Sequence, residues 1–341
     1  MTSFDEDNGQ STGRARLGLG CVNLGGMGRA GDRLVHQAFD LGVRFFDTAD
    51  VYGHGQSEVV LGRAVRARRA ETVIATKGGY PFRERSALMG AVRRAARPYV
   101  GVALRLTNRG SVAVASGSSY LSKDFSPRYL RSALEASLVR LRTDHVDLYQ
   151  LHGPEAVHDD VLALMSELIS EGKIRRFGIG LESLSPAEEW LTSGGVSDVQ
   201  LPFGVLDPLA GDRVIPLAHQ SGVSVIVRGV FAGGFVGRVP GGDTSRLRAG
   251  QPELLKELSA LASASGATPT QLALWYVLAR DDVSMALVGT SSTGHLADVV
   301  RYARTEPAED VLAALQSIAA RGLGEGAALP AVSEQGSNDG N

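Results

Sequence analysis

Cysteine is almost missing from this chain: Cys21 is the only one among 341 residues, so no disulfide can close within it. That usage suits a reducing compartment, and a cytoplasmic location is expected. No apolar run approaches the roughly 18 residues of a membrane span, so no membrane partner is expected. Met1 to Arg14 is polar, without the apolar centre of a signal peptide. Charge of one sign is lacking too, with a formal net charge of −2, so no global field would recruit nucleic acid. Clustered metal ligands are absent after the first apolar segment, where Gly20-Cys21-Val22-Asn23 offers no His-x-His pair, and no metal is expected. No strand–GxGxxG–helix unit occurs: Gly18-Leu19-Gly20 runs into Val22 and Asn23, not into a phosphate turn.

What is present is a rhythm. Short apolar segments, read as buried strands, fall at Leu17–Gly20, Val43–Asp47, Thr72–Thr76, Val146–Leu151, Phe177–Gly180, Asp198–Leu201, Ser224–Val227 and Met285–Val288. Helical patterns follow most of them, at Asp32–Leu41, Ser57–Val65, Pro127–Leu141, Asp159–Glu171, Val214–Ser221, Leu254–Ser263 and Pro269–Leu278. Ser126-Pro127 and Thr268-Pro269-Thr270-Gln271 read as helix starts, and Gly42, Gly172 and Gly222 as stops. Eight βα units without a composition break imply parallel strands with right-handed crossovers. The expected fold is a single-domain α/β (β/α)8 TIM barrel over residues 15–324, with a doubly wound open sheet as runner-up. Residues 1–14 are expected to form a disordered leader and 325–341 a flexible tail.

Barrel sites lie at the C-terminal strand ends. Four ionisable groups converge there: Asp47 ends the second strand, Tyr52 follows in its loop, Lys77 ends the third strand and His152 the fourth. Singly each has a plain reading, as a helix-capping Asp, a core Tyr or a core His. An Asp closing an apolar strand is costly to bury unpaired, and Lys77 is its natural partner. A free tyrosine, with a pKa near 10, is a poor proton donor at neutral pH. A neighbouring ammonium lowers that pKa, so Lys77 is expected to tune Tyr52 with Asp47 holding the ammonium in place. His152 would then hydrogen-bond the substrate oxygen. The set suits proton delivery to a carbonyl oxygen while hydride reaches carbon.

These segments resemble the aldo-keto reductases. The likeness lies in Phe46-Asp47-Thr48-Ala49-Asp50-Val51-Tyr52-Gly53, Ser57-Glu58 through Leu61-Gly62, Ile74-Ala75-Thr76-Lys77, and Asp147-Leu148-Tyr149-Gln150-Leu151-His152. It covers about residues 16–305. The resemblance implies reduction of an aldehyde or ketone with NADPH, or NADH as alternative, bound without a Rossmann unit. It implies Tyr52 as general acid, Lys77 and Asp47 tuning it, and His152 orienting the carbonyl. For the cofactor it implies Gly20, Cys21, Asp47, Gln200, Arg228, Gly289, Thr290, Ser291, Ser292 and His295. Three departures stand out: Gly180-Leu181 replaces a usual Ser-Asn pair, Arg228 takes the place of a residue packing on the nicotinamide, and Ser292 stands where many relatives carry a 2′-phosphate-binding Arg.

Residues 81–125 form a long basic insertion after the third strand, with Arg83, Arg85, Arg93, Arg94, Arg97, Arg105 and Arg109 against one acid, Glu84, before Asp124. It reads as a solvated basic helix or oligomer contact, or as a lid selecting a large or anionic carbonyl substrate. Redox-neutral lyase or isomerase chemistry and a non-catalytic cofactor sensor remain alternative functions. Substrate identity, reaction direction and oligomeric state stay open.

Overall fold

A computed structural model of the chain describes residues 16–82, 122–237, 247–248 and 250–322. The expected leader, the tail and nearly all of the basic insertion therefore lie outside the described residues. Eight parallel strands close into a barrel in sequence order: β1 (Leu17–Gly20), β2 (Phe45–Asp47), β3 (Val73–Gly78), β4 (Val146–His152), β5 (Ile174–Gly180), β6 (Asp198–Pro202), β7 (Ser224–Arg228) and β8 (Met285–Gly289). Pairing of β1 with β8, Leu19 opposite Val288, closes the ring. This is the expected (β/α)8 architecture, and the open-sheet alternative fails on that closure.

Side chains alternate along each strand, and the inward set fills the barrel. Phe45, Ala75, Leu148, Ile226 and Leu287 form a buried interior cluster, with Val73 and Met285 packed against it. Gly18 makes room for it: a Cβ there would lie 2.7 Å from both Phe45 Cδ1 and Leu287 Cδ2. The outward set, including Phe46, Ile74, Tyr149, Phe177, Val199 and Val225, packs under the helices in a larger core.

The helices start and stop where local chemistry directs. Helix α1 spans Arg29–Asp40, α2 Gln56–Val65 and α3 Pro127–Leu141; at α3 the Ser126 hydroxyl accepts from the Tyr129 N–H, with Pro127 in the first turn. Helices α4 (Asp159–Ser170), α5 (Ala187–Thr192) and α6 (Val214–Gln220) follow β4, β5 and β6. Helix α7 (Gln251–Ser265) and helix α8 (Pro269–Leu278), capped by Thr268, lie between β7 and β8. Two helices escaped the sequence reading: α9 (Thr293–Tyr302) and α10 (Glu309–Gly322). Ser292 caps α9, and Leu296, Val299 and Val300 form its buried stripe, so the signal was present. Helix α10 packs Leu315, Ile318 and Ala319 with Leu254, Leu258 and Leu272 of α7 and α8 in a second cluster.

Gly62 marks a close approach of α2 to α3. A Cβ there would meet the Leu141 carbonyl oxygen at 2.2 Å and Leu141 Cα at 2.6 Å. Gly62→Ala is therefore expected to push α2 from α3 and destabilise by roughly 2 kcal/mol or more, despite its better helix propensity. Chemical denaturation checks this; unchanged stability would show that the helices separate freely.

Candidate active site

The interior alternation dictates which polar side chains reach the top of the barrel. Two residues beyond Phe45 is Asp47; two beyond Ala75 is Lys77; two and four beyond Leu148 are Gln150 and His152; two beyond Ile226 is Arg228. Register then places them side by side: Asp47 opposite Ala75, Lys77 opposite Gln150, His152 opposite Gly180, and Gly180 opposite Gln200. Hydrophobic periodicity below thus aims a polar layer above.

Asp47 and Lys77 form the centre of that layer. The Lys77 Nζ lies 2.6 Å from both Asp47 carboxylate oxygens and donates to the Thr48 carbonyl at 2.9 Å. Both residues are buried, Lys77 at 1% exposure. Asp47 Oδ1 also accepts from Gln200 Nε2 at 2.7 Å and Gln150 Nε2 at 3.3 Å. A buried ion pair is tolerable only when its remaining hydrogen-bonding capacity is met in this way. Burial works against the Lys77 ammonium, but the Asp47 carboxylate and the Tyr52 phenol together outweigh it and hold the pKa above the ordinary lysine value. Gln150 was missed in the sequence reading, although period two from Leu148 points to it.

Tyr52 leaves the β2 loop at the mouth, with Lys77 Nζ 5.4 Å from its ring centroid. Burial pushes its phenol above the ordinary pKa, and the opposing pull of Lys77 does not overcome this. The net lowering expected from the sequence is therefore corrected: the ammonium acts in the expected direction, but desolvation of the phenolate is larger. His152 stands edge-on to Tyr52, ring centroids 6.0 Å apart at 86°. Burial, together with the cations Lys77, Arg228 and Lys123, lowers its pKa to about 3, so the imidazole is neutral throughout the physiological range. All four convergent residues are thus brought to one mouth.

The other predicted positions are distributed around it. Arg228 is half-buried and donates to the Leu181 carbonyl at 2.8 Å, with no carboxylate partner among the described residues. Gly180 keeps space beside the ammonium, since a Cβ would sit 3.7 Å from Lys77 Cε. Gly289 borders open space. Thr290 Oγ1 accepts from the Ser292 N–H at 3.0 Å, and Ser292 Oγ accepts from the His295 N–H at 3.3 Å. Ser292 is therefore occupied as a helix cap, while Ser291 and His295 are exposed at the start of α9. Gly20 borders Gly289 across the β1–β8 seam. Cys21 is buried; its N–H bonds the Asp47 carbonyl, its own carbonyl accepts from Ser57 Oγ, and burial drives its thiol pKa far up. Among the described residues no cluster of three metal-ligating side chains exists, and no helix is long and apolar enough to cross a membrane.

Behind the mouth lies a buried polar cluster that the sequence reading did not single out. Glu58, fully buried, accepts from Thr76 Oγ1 and Arg140 Nε at 2.6 Å each. Asp50 is 1% exposed, and among the described residues neither carboxylate oxygen has a side-chain hydrogen-bond partner, only the Val51 N–H favouring its charged form.

The chain matches the aldo/keto reductase family model over residues 16–320. It is 28% identical over 314 residues to the uncharacterized oxidoreductase YqkF of Bacillus subtilis, covering 89% of this chain and 92% of that protein. It is 27% identical over 306 residues to the NADH-specific methylglyoxal reductase of Escherichia coli, covering 82% and 86% respectively. The holo form of aldo-keto reductase AKR11C1 from Bacillus halodurans superposes with a TM-score of 0.72 at 27% identity, covering 94% of each chain. A closed eight-stranded barrel, a polar layer at its C-terminal mouth and a match to one family model over nearly the whole chain agree: this protein belongs to the aldo/keto reductase family of oxidoreductases.

Proposed function

We propose that this protein reduces a small aldehyde or ketone to an alcohol with a nicotinamide dinucleotide, NADPH or alternatively NADH. The observation that carries the reading is the convergence of Asp47, Lys77, Tyr52 and His152 at one barrel mouth, with the ammonium clamped at 2.6 Å by the carboxylate.

Tyr52 is the proton donor. Its raised pKa keeps it protonated at neutral pH, and Lys77 beside it stabilises the phenolate that forms on donation. Asp47 holds Lys77 charged and in place. His152, neutral, donates a hydrogen bond to the carbonyl oxygen and fixes the face presented to the hydride. The dinucleotide supplies that hydride when bound.

The residues present fit such a cofactor. Open space at Gly289 and the amides opening α9 suit phosphate oxygens, since helix starts favour anions. The half-buried Arg228 stands beside Tyr52, Lys77 and His152, where the nicotinamide would pack. Gln200 keeps its amide nitrogen on Asp47, leaving Oε1 to accept from a carboxamide. Ser292 has its N–H on Thr290 Oγ1 and its hydroxyl on the His295 N–H, and no guanidinium stands at that position for a 2′-phosphate. Methylglyoxal, named in the activity of the Escherichia coli relative, is a suitable first substrate.

Fluorescence titration of the purified protein with NADPH and NADH, followed by a turnover assay with methylglyoxal and a panel of aldehydes, tests the reading. Binding of at least one dinucleotide and cofactor-dependent carbonyl reduction are expected. Preference for NADH would match the loss of the guanidinium at Ser292; binding of neither would overturn the reductase assignment.

A further inference from the structure

The His152 imidazole has an orientation problem. Its Nδ1 is buried without a hydrogen-bond partner among the described residues. Catalytic histidines are ordinarily aligned by a hydrogen bond from the ring nitrogen that faces away from the substrate. Here the rings packed around it must do that work.

Tyr80 supplies the closest ring among the described residues. Its centroid lies 5.0 Å from that of His152, with the planes at 90°, nearer than Tyr52 at 6.0 Å. Tyr80 is itself held: its O–H donates to Glu182 Oε1 at 2.9 Å. The other oxygen of Glu182 accepts from Lys123 Nζ at 3.0 Å, and Lys123 also donates to the Gly153 carbonyl at 2.8 Å and lies 3.5 Å from Glu155 Oε1. The Lys123 ammonium sits 5.5 Å from the Tyr80 ring centroid. The circuit therefore leaves His152 through its own neighbour, Gly153, and returns to the imidazole through Tyr80.

Gly153 shows how tightly this ring is drawn. Its φ of +73° disfavours a side chain, and a Cβ there would lie 2.8 Å from the Glu182 carboxylate and 2.9 Å from Lys123 Nζ. Stability is a poor explanation for the arrangement. Lys123 and Glu182 retain 23% and 48% side-chain exposure, and ion pairs this accessible contribute little to folding.

We infer that Tyr80, Glu182 and Lys123 form a clasp that orients the His152 imidazole, with Tyr80 as the positioning residue in contact with it. The inference rests on the reductase reading only in taking His152 as the group that meets the carbonyl. The charged groups facing His152 are Lys77 from β3, Arg228 from β7 and Lys123, with the rings of Tyr52 and Tyr80 packed against it. Lys123 lowers the His152 pKa. The clasp thus aligns the ring, while burial keeps it neutral with Lys123 adding to that effect.

The test compares Tyr80→Ala, Tyr80→Phe and Lys123→Met with the wild type. Long-range nitrogen–proton NMR of histidine-labelled protein, with His152→Gln for assignment, reads the His152 tautomer and titration. Steady-state kinetics with methylglyoxal and the better-binding dinucleotide read kcat and KM. Tyr80→Ala is expected to lower kcat about tenfold, with dinucleotide affinity unchanged, because a small misalignment of a catalytic group is costly. Its His152 resonances should change from one tautomer to a mixture. Tyr80→Phe keeps the ring and should retain kcat within about threefold. Lys123→Met should raise the His152 titration midpoint by roughly half a unit, since a like charge is removed. A Tyr80→Ala protein with kcat within twofold of wild type and an unaltered tautomer pattern would overturn the clasp. Should the wild type reduce no carbonyl, the reductase reading fails, and the NMR pattern still decides the clasp.

Discussion

Tyr52→Phe is expected to lower carbonyl turnover about a thousandfold while leaving dinucleotide affinity within about twofold of wild type. The substitution removes one oxygen and keeps the ring that stands edge-on to His152. Among the described residues at the mouth, neither Lys77 nor His152 is suited to replace it as an acid. Lys77 is pinned by both oxygens of Asp47 and by the Thr48 carbonyl, its pKa is raised, and release of its proton would leave Asp47 buried and unpaired. His152, with a pKa of about 3, is neutral at pH 7 and a weak proton source. The same arrangement predicts no activity limb near the ordinary histidine pKa of about 6.5. Pre-steady-state turnover with a saturating carbonyl is the decisive measurement. A loss smaller than about tenfold would assign proton donation to another group or to water.

The second large effect concerns stability. Asp50→Asn is expected to stabilise the protein by roughly 2–5 kcal/mol at pH 8 and by little at pH 4. Asp50 lies between Asp47 and Tyr52 in sequence, is almost wholly buried, and has no side-chain hydrogen-bond partner on either oxygen among the described residues. Burial, reinforced by the Glu58 carboxylate and only partly offset by Arg140, raises its pKa to about 8. A carboxyl with a raised pKa binds its proton more tightly in the folded chain than in the unfolded one. Folding is therefore favoured at low pH, and that advantage is lost as pH climbs from about 4 to about 8. Asparagine keeps the shape and removes the titration, so the wild-type and variant stability curves should diverge across that window. Denaturant unfolding at pH 4, 6 and 8 checks this. Parallel curves would mean that Asp50 is solvated or paired in solution.

Much of this protein is legible before folding is considered. The eight apolar segments and their helix-starting Ser-Pro and Thr-Pro pairs announce repeated βα units, because burial on both faces demands short continuous apolar strands. The positions of Asp47, Lys77 and His152 at segment ends follow from the same pattern, since polar residues can interrupt an apolar strand only where it emerges from the core. Helices α9 and α10 carry ordinary apolar stripes but lie beyond the eighth strand, where the strand repeat no longer signals them. The net direction of the Tyr52 pKa was misjudged for a different reason: sequence names the neighbouring ammonium but not the depth of burial that outweighs it.

Sequence by itself determined the repeat, the approximate edges of the strands and the residue types gathered at their ends, because period and polarity are local properties of a chain. Only the tertiary structure decided what those residues meet. Barrel closure and strand register put Gln150 and Gln200 on the same Asp47 oxygen, left Asp50 without a side-chain hydrogen-bond partner among the described residues, and drew Tyr80, Lys123 and Glu182 from three separate stretches around His152. The hydrogen bonds among them join residues 30 to 153 positions apart, which a linear pattern does not contain.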